Sequence, residues 1–255
     1  MQPIAIATRA ANQAGKLLLQ RFQHLHARDV NAKSAHELVT VADKAANRLI
    51  QKMLRQAFPA IGVLSEEGHN RPGRLRWVID PLDGTTNFVL HVPFFGVSIA
   101  LMDGNMPLFG VITCPPTKEI FIGARGQGAT KNGQALRRQP APPLRQAIIG
   151  YGYTHSARSL RASLVLAERL SHRVRSVRHA GSTALDLAYL AAGRLDAVII
   201  AGPINLWDVA AGVIIAQEAG YAVQDGKGKV WTPKSHDVFA GPISLLKKLH
   251  NRKNR

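Results

Sequence analysis

The chain of 255 residues holds one cysteine, Cys114. A lone cysteine excludes an internal disulfide and a cysteine-based zinc site. Acid is scarce as well: 16 Asp and Glu stand against 33 Lys and Arg, for a net charge of +17. Long apolar runs are missing. Gly, Pro or a charge interrupts each one well before about 18 residues, so no transmembrane helix and no membrane partner are expected. The N-terminus lacks the ordered basic, apolar and small-residue regions of a signal peptide, and Met1 opens an amphipathic pattern instead. These absences lead to the expectation of a cytoplasmic protein. Hydrophobic and charged contents of 46% and 19% are ordinary for a soluble globular chain. The length suits one large domain or two small ones.

The positive charge is uneven. Residues 137–178 carry nine arginines against one acid, Glu168, and residues 247–255 add five basic residues and no acid. Such a field attracts polyanions and steers anionic substrates, or it is simply a solvated basic surface. The arginines are not interleaved with aromatics, and no nucleic-acid fold motif is visible.

Apolar spacing predicts helices over 3–24 and 42–57, the second ended by Pro59. Strands are predicted over 61–64 and 75–79, each delivering acids at its C-terminal end. Three β-like runs over 94–103, 107–113 and 118–123 suggest an antiparallel meander. The Gln139-Pro-Ala-Pro-Pro143 stretch is the best boundary, dividing the chain into 1–139 and 140–255. Beyond it strand and helix alternate: strand 146–150, helix 158–170, strand 174–178, helix 183–192, strand 195–200, helix 207–219, strands near 220–224 and 237–240, and a helix from 243. Such alternation indicates helices packed on a sheet.

Four of the 16 acids, Glu66, Glu67, Asp80 and Asp83, fall between positions 66 and 83. In Asp80-Pro-Leu-Asp83, Pro81 fixes its own φ and biases Asp80 toward an extended conformation. The turn can aim two carboxylates and a carbonyl at one point, which suits a hard cation such as Mg²⁺. No His or Cys lies in it, which argues against a softer metal. Gly84-Thr85-Thr86 follows, with free N–H groups for phosphate oxygens. Metal ligands on one side and phosphate donors on the other suit phosphoryl transfer to water, with one cation acidifying the water and a second offsetting charge on the leaving oxygen. A hydroxyl such as Thr85 could orient that water if a carboxylate fixes it in turn. An acid-rich capping turn is the plainer alternative. Asp208 and Asp43 stand at starts of predicted helices, where acids are favourable without any catalytic role.

The chain resembles the inositol monophosphatase family, within the lithium-sensitive, Mg²⁺-dependent sugar and nucleotide phosphatases. The resemblance rests on Leu38-Val-Thr40-Val-Ala-Asp43, Leu64-Ser-Glu66-Glu67-Gly68, Asp80-Pro-Leu-Asp83-Gly-Thr85-Thr-Asn-Phe88, Gly181-Ser-Thr183-Ala-Leu-Asp-Leu-Ala-Tyr189 and Trp207-Asp208-Val-Ala-Ala-Gly212, in that order along most of the chain. It implies an α+β or α/β layered sandwich of αβαβα type, the inositol monophosphatase and fructose-1,6-bisphosphatase arrangement, found as a homodimer. It implies that Glu66, Asp80 and the Leu82 carbonyl hold one Mg²⁺, that Asp80, Asp83 and Asp208 hold a second, and that Glu66 helps to hold a weaker third. Thr85 would position the attacking water with Asp43 behind it, the Gly84 and Thr85 amides would hold phosphate, and Glu67 would stand behind the ligands.

Family members acting on inositol phosphates usually carry a Glu shortly before the Trp-Asp motif. Ala201 occupies that place by spacing. It cannot bind a hydroxyl, whereas Asn205 could, and Thr183 stands where a small residue borders substrate. The implied activity is hydrolysis of a small phosphate monoester: inositol 1-phosphate, another sugar or polyol phosphate, histidinol phosphate or a 3′-phosphonucleotide. A nucleic-acid-binding or transcription-associated protein on the same scaffold is the alternative from another class. An inactive relative is a third, opposed by the full set of acids.

Overall fold

The structure is a computed structural model that describes residues 2–25, 29–34, 37–153 and 157–250, with only the backbone at 32–34 and 37–38. Arg252, Lys253 and Arg255 of the basic tail lie outside the described residues. Helix α1 (Pro3–Phe22) begins on a proline, whose fixed φ suits a first turn, and buries Ile6, Ala7, Ala10, Ala14 and Leu18 on one stripe. Strands β1 (Val30–Ser34) and β2 (Glu37–Thr40) pair antiparallel. Helix α2 (Val41–Ala57) opens on a capping box between Thr40 and Asp43. Then follow β3 (Gly62–Ser65), β4 (Leu75–Asp83), the short α3 (Thr85–Val89), β5 (Gly96–Asp103), β6 (Met106–Cys114), β7 (Glu119–Ala124), β8 (Gly128–Lys131) and β9 (Gln134–Leu136).

The rest of the chain forms β10 (Ile148–Tyr153), α4 (Ala157–Ser171), β11 (Ser176–Arg178), α5 (Thr183–Ala191), β12 (Ala197–Ala201), α6 (Leu206–Glu218), β13 (Ala222–Gln224), β14 (Val238–Gly241) and α7 (Ile243–His250). The alternation expected from sequence is present. Two differences matter. The expected three-strand meander continues into β8 and β9, and β4 does not stop at Ile79. It runs to Asp83, because β5 keeps pairing with it across an irregularity: Asp80 faces Ser98 and Asp83 faces Gly96. The acids therefore sit on a bulged strand end, and bulges re-aim side chains.

Strands β3 to β9 form a seven-stranded sheet in sequence order, and β11-β10-β12-β14-β13 form a five-stranded one. Only β3–β4 in the first sheet and β10–β11 and β10–β12 in the second are parallel. Alternation along the strands assigns the faces. Trp77, Ile79, Val97, Ile99 and Val111 pack against α1 and α2. Val78, Ala100 and Ile112 face the other way, into a core with α5 and α6 that also receives Val198 and Ile200 of the second sheet. Ile149 and Ile199 point outward to Leu170 of α4 and to Leu245, Leu246 and Leu249 of α7. The layers are thus α1/α2, sheet, α5/α6, sheet, α4/α7, an αβαβα sandwich.

The central layer fits closely because glycine lets it. A Cβ on Gly110 would lie 2.6 Å from the Ala211 Cα, and one on Gly123 2.7 Å from the Ile215 Cα. Helix α6 therefore rests on the backbone of β6 and β7, and its first turn carries Asp208.

Candidate active site

Four element ends meet at one cavity of about 870 Å³. The end of β4 with α3 brings Asp80, Leu82, Asp83, Gly84 and Thr85, and Glu66 enters from the end of β3. The first turns of α5 and α6 bring Thr183, Asn205 and Asp208. Asp43 is buried behind Thr85.

The acids lie close enough to perturb one another. Burial raises the Asp80 carboxyl well above the usual carboxylate range, and the charges of Glu66, Asp83 and Asp208 raise it further. Burial likewise raises Asp208, helped by Asp83 and Glu66. Asp83 is raised by burial but held down by hydrogen bonds: its Oδ2 accepts from Ser182 Oγ at 2.5 Å and from the Ala184 amide at 2.7 Å. Asp80 Oδ1 accepts from the Leu82 amide at 3.0 Å.

Glycine at position 84 is required by the backbone. Its φ of +92° is left-handed, and a Cβ there would meet the Phe94 carbonyl at 3.1 Å. That turn swings the chain from β4 into α3. Thr85 Oγ1 then lies 3.1 Å from Asp43 Oδ1 and 3.0 Å from the Leu82 carbonyl. A hydroxyl has one proton, so these two acceptors compete for it. Asp43 Oδ2 is occupied separately by the Thr40 amide at 2.8 Å and the Thr40 hydroxyl at 2.5 Å. Burial lifts the Asp43 carboxyl to about 6 against these bonds. Asp43 thus serves both as helix cap and as acceptor for Thr85. Glu67 does not line the cavity, and its charge adds to the lift on Asp43.

Ala201 stands off the cavity. It ends β12, and its carbonyl accepts from Ser159 Oγ of α4. Asn205 lines the cavity but turns to Asp208, accepting the Asp208 amide at 3.3 Å and hydrogen-bonding the carboxylate with its side chain. Three residues escaped the sequence reading. Ser182 holds Asp83. Asn87 donates to the carbonyls of Phe94 at 2.7 Å and Ala180 at 2.8 Å, tying the 180–182 turn to α3. Asp186 lines the cavity at 4% exposure, and its carboxyl is raised well above the usual range by burial and by Asp83.

Among the described residues no three His, Cys, Asp or Glu side chains are already gathered as a metal centre. The donor set nevertheless fits hard cations. Among the described residues, five carboxylates line the cavity and no Lys or Arg does. Buried acids of one sign need positive charge, and oxygen donors select Mg²⁺ over softer ions.

The profile of the inositol monophosphatase family matches residues 1–255. The chain belongs to the inositol monophosphatase family. It is 38% identical to the Nus factor SuhB of Pseudomonas aeruginosa, over 98% of this chain and 95% of that protein. Its fold matches the extragenic suppressor protein suhB of Bartonella henselae with a TM-score of 0.91 at 33% identity, over 99% of each chain. It matches an inositol monophosphatase from Anabaena with a TM-score of 0.84 at 34% identity, over 96% of this chain and 92% of that one. As a member of the inositol monophosphatase family it is a metal-dependent phosphatase acting on a small molecule. No helix among the described residues is long and apolar enough to cross a membrane.

Proposed function

We propose that the protein is a Mg²⁺-dependent phosphomonoesterase that hydrolyses a small phosphate monoester of the inositol 1-phosphate or related sugar and polyol class at the cavity between β4, α5 and α6. The shared cavity of Glu66, Asp80, Asp83 and Asp208, with no Lys or Arg in its lining among the described residues, carries this reading. Glu66, Asp80 and the Leu82 carbonyl would hold one Mg²⁺, Asp80, Asp83 and Asp208 a second, and Glu66 would help to hold a third. Bound there, Mg²⁺ supplies Lewis acidity toward water and the phosphate ester.

The chain's own groups do the rest. With its proton given to Asp43, the Thr85 oxygen keeps lone pairs that accept a hydrogen of the attacking water and fix its direction. The Gly84 and Thr85 amides face the phosphate oxygens; α3 has only five residues, so these N–H groups outweigh any helix dipole. Asn205 positions Asp208. Thr183 borders the substrate, and Ala201 shapes its side only through the backbone. Inhibition by lithium, a homodimeric state and a cytoplasmic location accompany this reading.

Phosphate release from a panel of sugar, polyol and nucleotide phosphates, with and without Mg²⁺, tests it. Asp83→Asn should lower turnover at least about 100-fold. Wild-type turnover in that variant would remove the metal assignment.

A second reading, a role with nucleic acid in transcription, is favoured by the name of the Pseudomonas relative and by one surface. Arg158, Arg161 and Arg169 of α4, Arg175 just before edge strand β11 and Arg178 at its end are all exposed. Electrophoretic shift with RNA near physiological salt tests it, and no binding there would dismiss it.

A further inference from the structure

Helix α2 carries a polar row among its apolar positions. Asp43, Asn47, Gln51 and Arg55 follow one another at intervals of four residues and so share one face. Asn47 and Gln51 are buried, at 2% and 5% exposure. Packing alone gives no reason to bury two amides, because a buried amide costs free energy until its polar atoms are paired. Their partners lie in the turn after β3. Asn47 Oδ1 accepts from Ser65 Oγ at 2.9 Å and from Gln51 Nε2 at 3.0 Å. Asn47 Nδ2 donates to the Glu67 carbonyl at 3.4 Å, Gln51 Nε2 to the Gly68 carbonyl at 3.1 Å, and Arg55 Nη2 to the His69 carbonyl at 2.8 Å. Carbonyls only accept, so the Glu67 and Gly68 carbonyls fix which end of each amide faces them.

Three successive carbonyls are thus held by three successive members of one row. The turn has need of it. Gly68 and His69 are both left-handed, at φ +78° and +59°. The His69 side chain makes that conformation unfavourable, and strained backbone persists only where its surroundings over-determine it. The residue that leads into the held segment is Glu66. The remaining member of the row, Asp43, accepts from Thr85 Oγ1 at 3.1 Å. One helix face therefore grips both the hydroxyl that orients water and the turn that presents Glu66.

We propose that Asn47, Gln51 and Arg55 are positioning residues, and that their row on α2 sets Glu66 at a fixed place relative to Thr85. None of the three lines the cavity, so they act through the turn. The proposal rests on the assignment of Glu66 as a cation ligand and adds what places it.

The test uses Gln51→Met, which keeps the length of the side chain and removes its donors. Calorimetric titration of the substrate-free protein should show Mg²⁺ bound about 10-fold more weakly, the scale for losing a partner behind a metal ligand. Turnover should recover at saturating Mg²⁺. Arg55 is exposed, so Arg55→Met keeps the fold; it should shift Mg²⁺ affinity in the same direction, and Arg55→Lys, which retains a donor, should restore it. In a Glu66→Gln background Gln51→Met should weaken Mg²⁺ no further, because the two changes act on one ligand. Wild-type affinity in Gln51→Met, or a loss that persists undiminished without the Glu66 carboxylate, would overturn the proposal. Should Glu66→Gln bind Mg²⁺ as tightly as wild type, the ligand assignment fails by itself, and amide hydrogen exchange over residues 65–70 of the metal-free protein still reads the row. Faster exchange in Gln51→Met and Arg55→Met, with recovery in Arg55→Lys, supports its hold on the turn; exchange equal to wild type in both methionine variants overturns it.

Discussion

Asp83 and Ser182 are joined by a 2.5 Å hydrogen bond across 99 residues of sequence. The same serine oxygen accepts from the Leu185 amide at 3.4 Å and so caps α5. One hydroxyl therefore ties the bulged end of β4 to the helix of the central layer. Ser182→Ala should cost about 1 to 2 kcal/mol of stability from the lost cap and the less satisfied carboxylate. It should also raise the Mg²⁺ concentration for half-maximal turnover about 10-fold, since Asp83 loses its orienting partner. Urea unfolding and a Mg²⁺ titration of phosphate release measure the two effects. A stability loss with unchanged Mg²⁺ dependence would confine Ser182 to a capping role.

The buried acids make stability depend on pH in a direction opposite to that of salt-bridged carboxylates. Asp43 has its folded-state pKa raised to about 6, against about 4 in an unfolded chain. Its contribution is fully present below about pH 4 and lost as the pH rises through about 6, on the order of 3 kcal/mol. Asp80, Asp186 and Asp208 are raised as well, so the loss continues above that window. Metal-free protein should therefore unfold at lower urea at pH 8 than at pH 5, and Mg²⁺ should narrow the gap. Equal midpoints at the two pH values would contradict the uncompensated burial of these acids.

Asp186 offers a separate test of the same electrostatics. It is buried beside Asp83 and, among the described residues, receives no side-chain hydrogen bond to hold its charge. Asp186→Asn keeps the shape and removes the charge. Metal-free protein should gain about 1 to 2 kcal/mol at pH 8, while Mg²⁺ affinity measured by calorimetry should fall about 10-fold. Destabilisation with unchanged affinity would show Asp186 to be a structural acid only.

The parts of this molecule that depend on neighbours in sequence were legible in the sequence. Apolar spacing located α1, α2 and the helices of the second half, because one buried stripe sets each of them. The Asp80–Thr85 segment could be read because its proline, acids and glycine lie within six residues. What escaped depends on partners far along the chain. Ser182 and Asp186 look like an ordinary N-cap and first-turn acid of α5 until Asp83 is placed beside them. Strands β8 and β9 are three or four residues long and carry too few apolar positions to show an alternation.

The last link runs from packing to chemistry through α6. A methyl group at Gly110 would lie 2.6 Å from both the Cα and the carbonyl oxygen of Ala211. These are backbone atoms, so no rotamer change relieves the contact, and α6 itself must shift. Overpacking of this kind costs about 1 to 3 kcal/mol. Because Asp208 sits in the first turn of α6, the shift also moves a proposed cation ligand, and displacement of about 1 Å at a reacting centre can cost about 100-fold in rate. Gly110→Ala should therefore melt several degrees lower, keep its far-ultraviolet circular dichroism, and lose turnover out of proportion to its stability. Extra Mg²⁺ should restore part of that turnover if the defect lies at Asp208, and none of it if the substitution acts only on the fold.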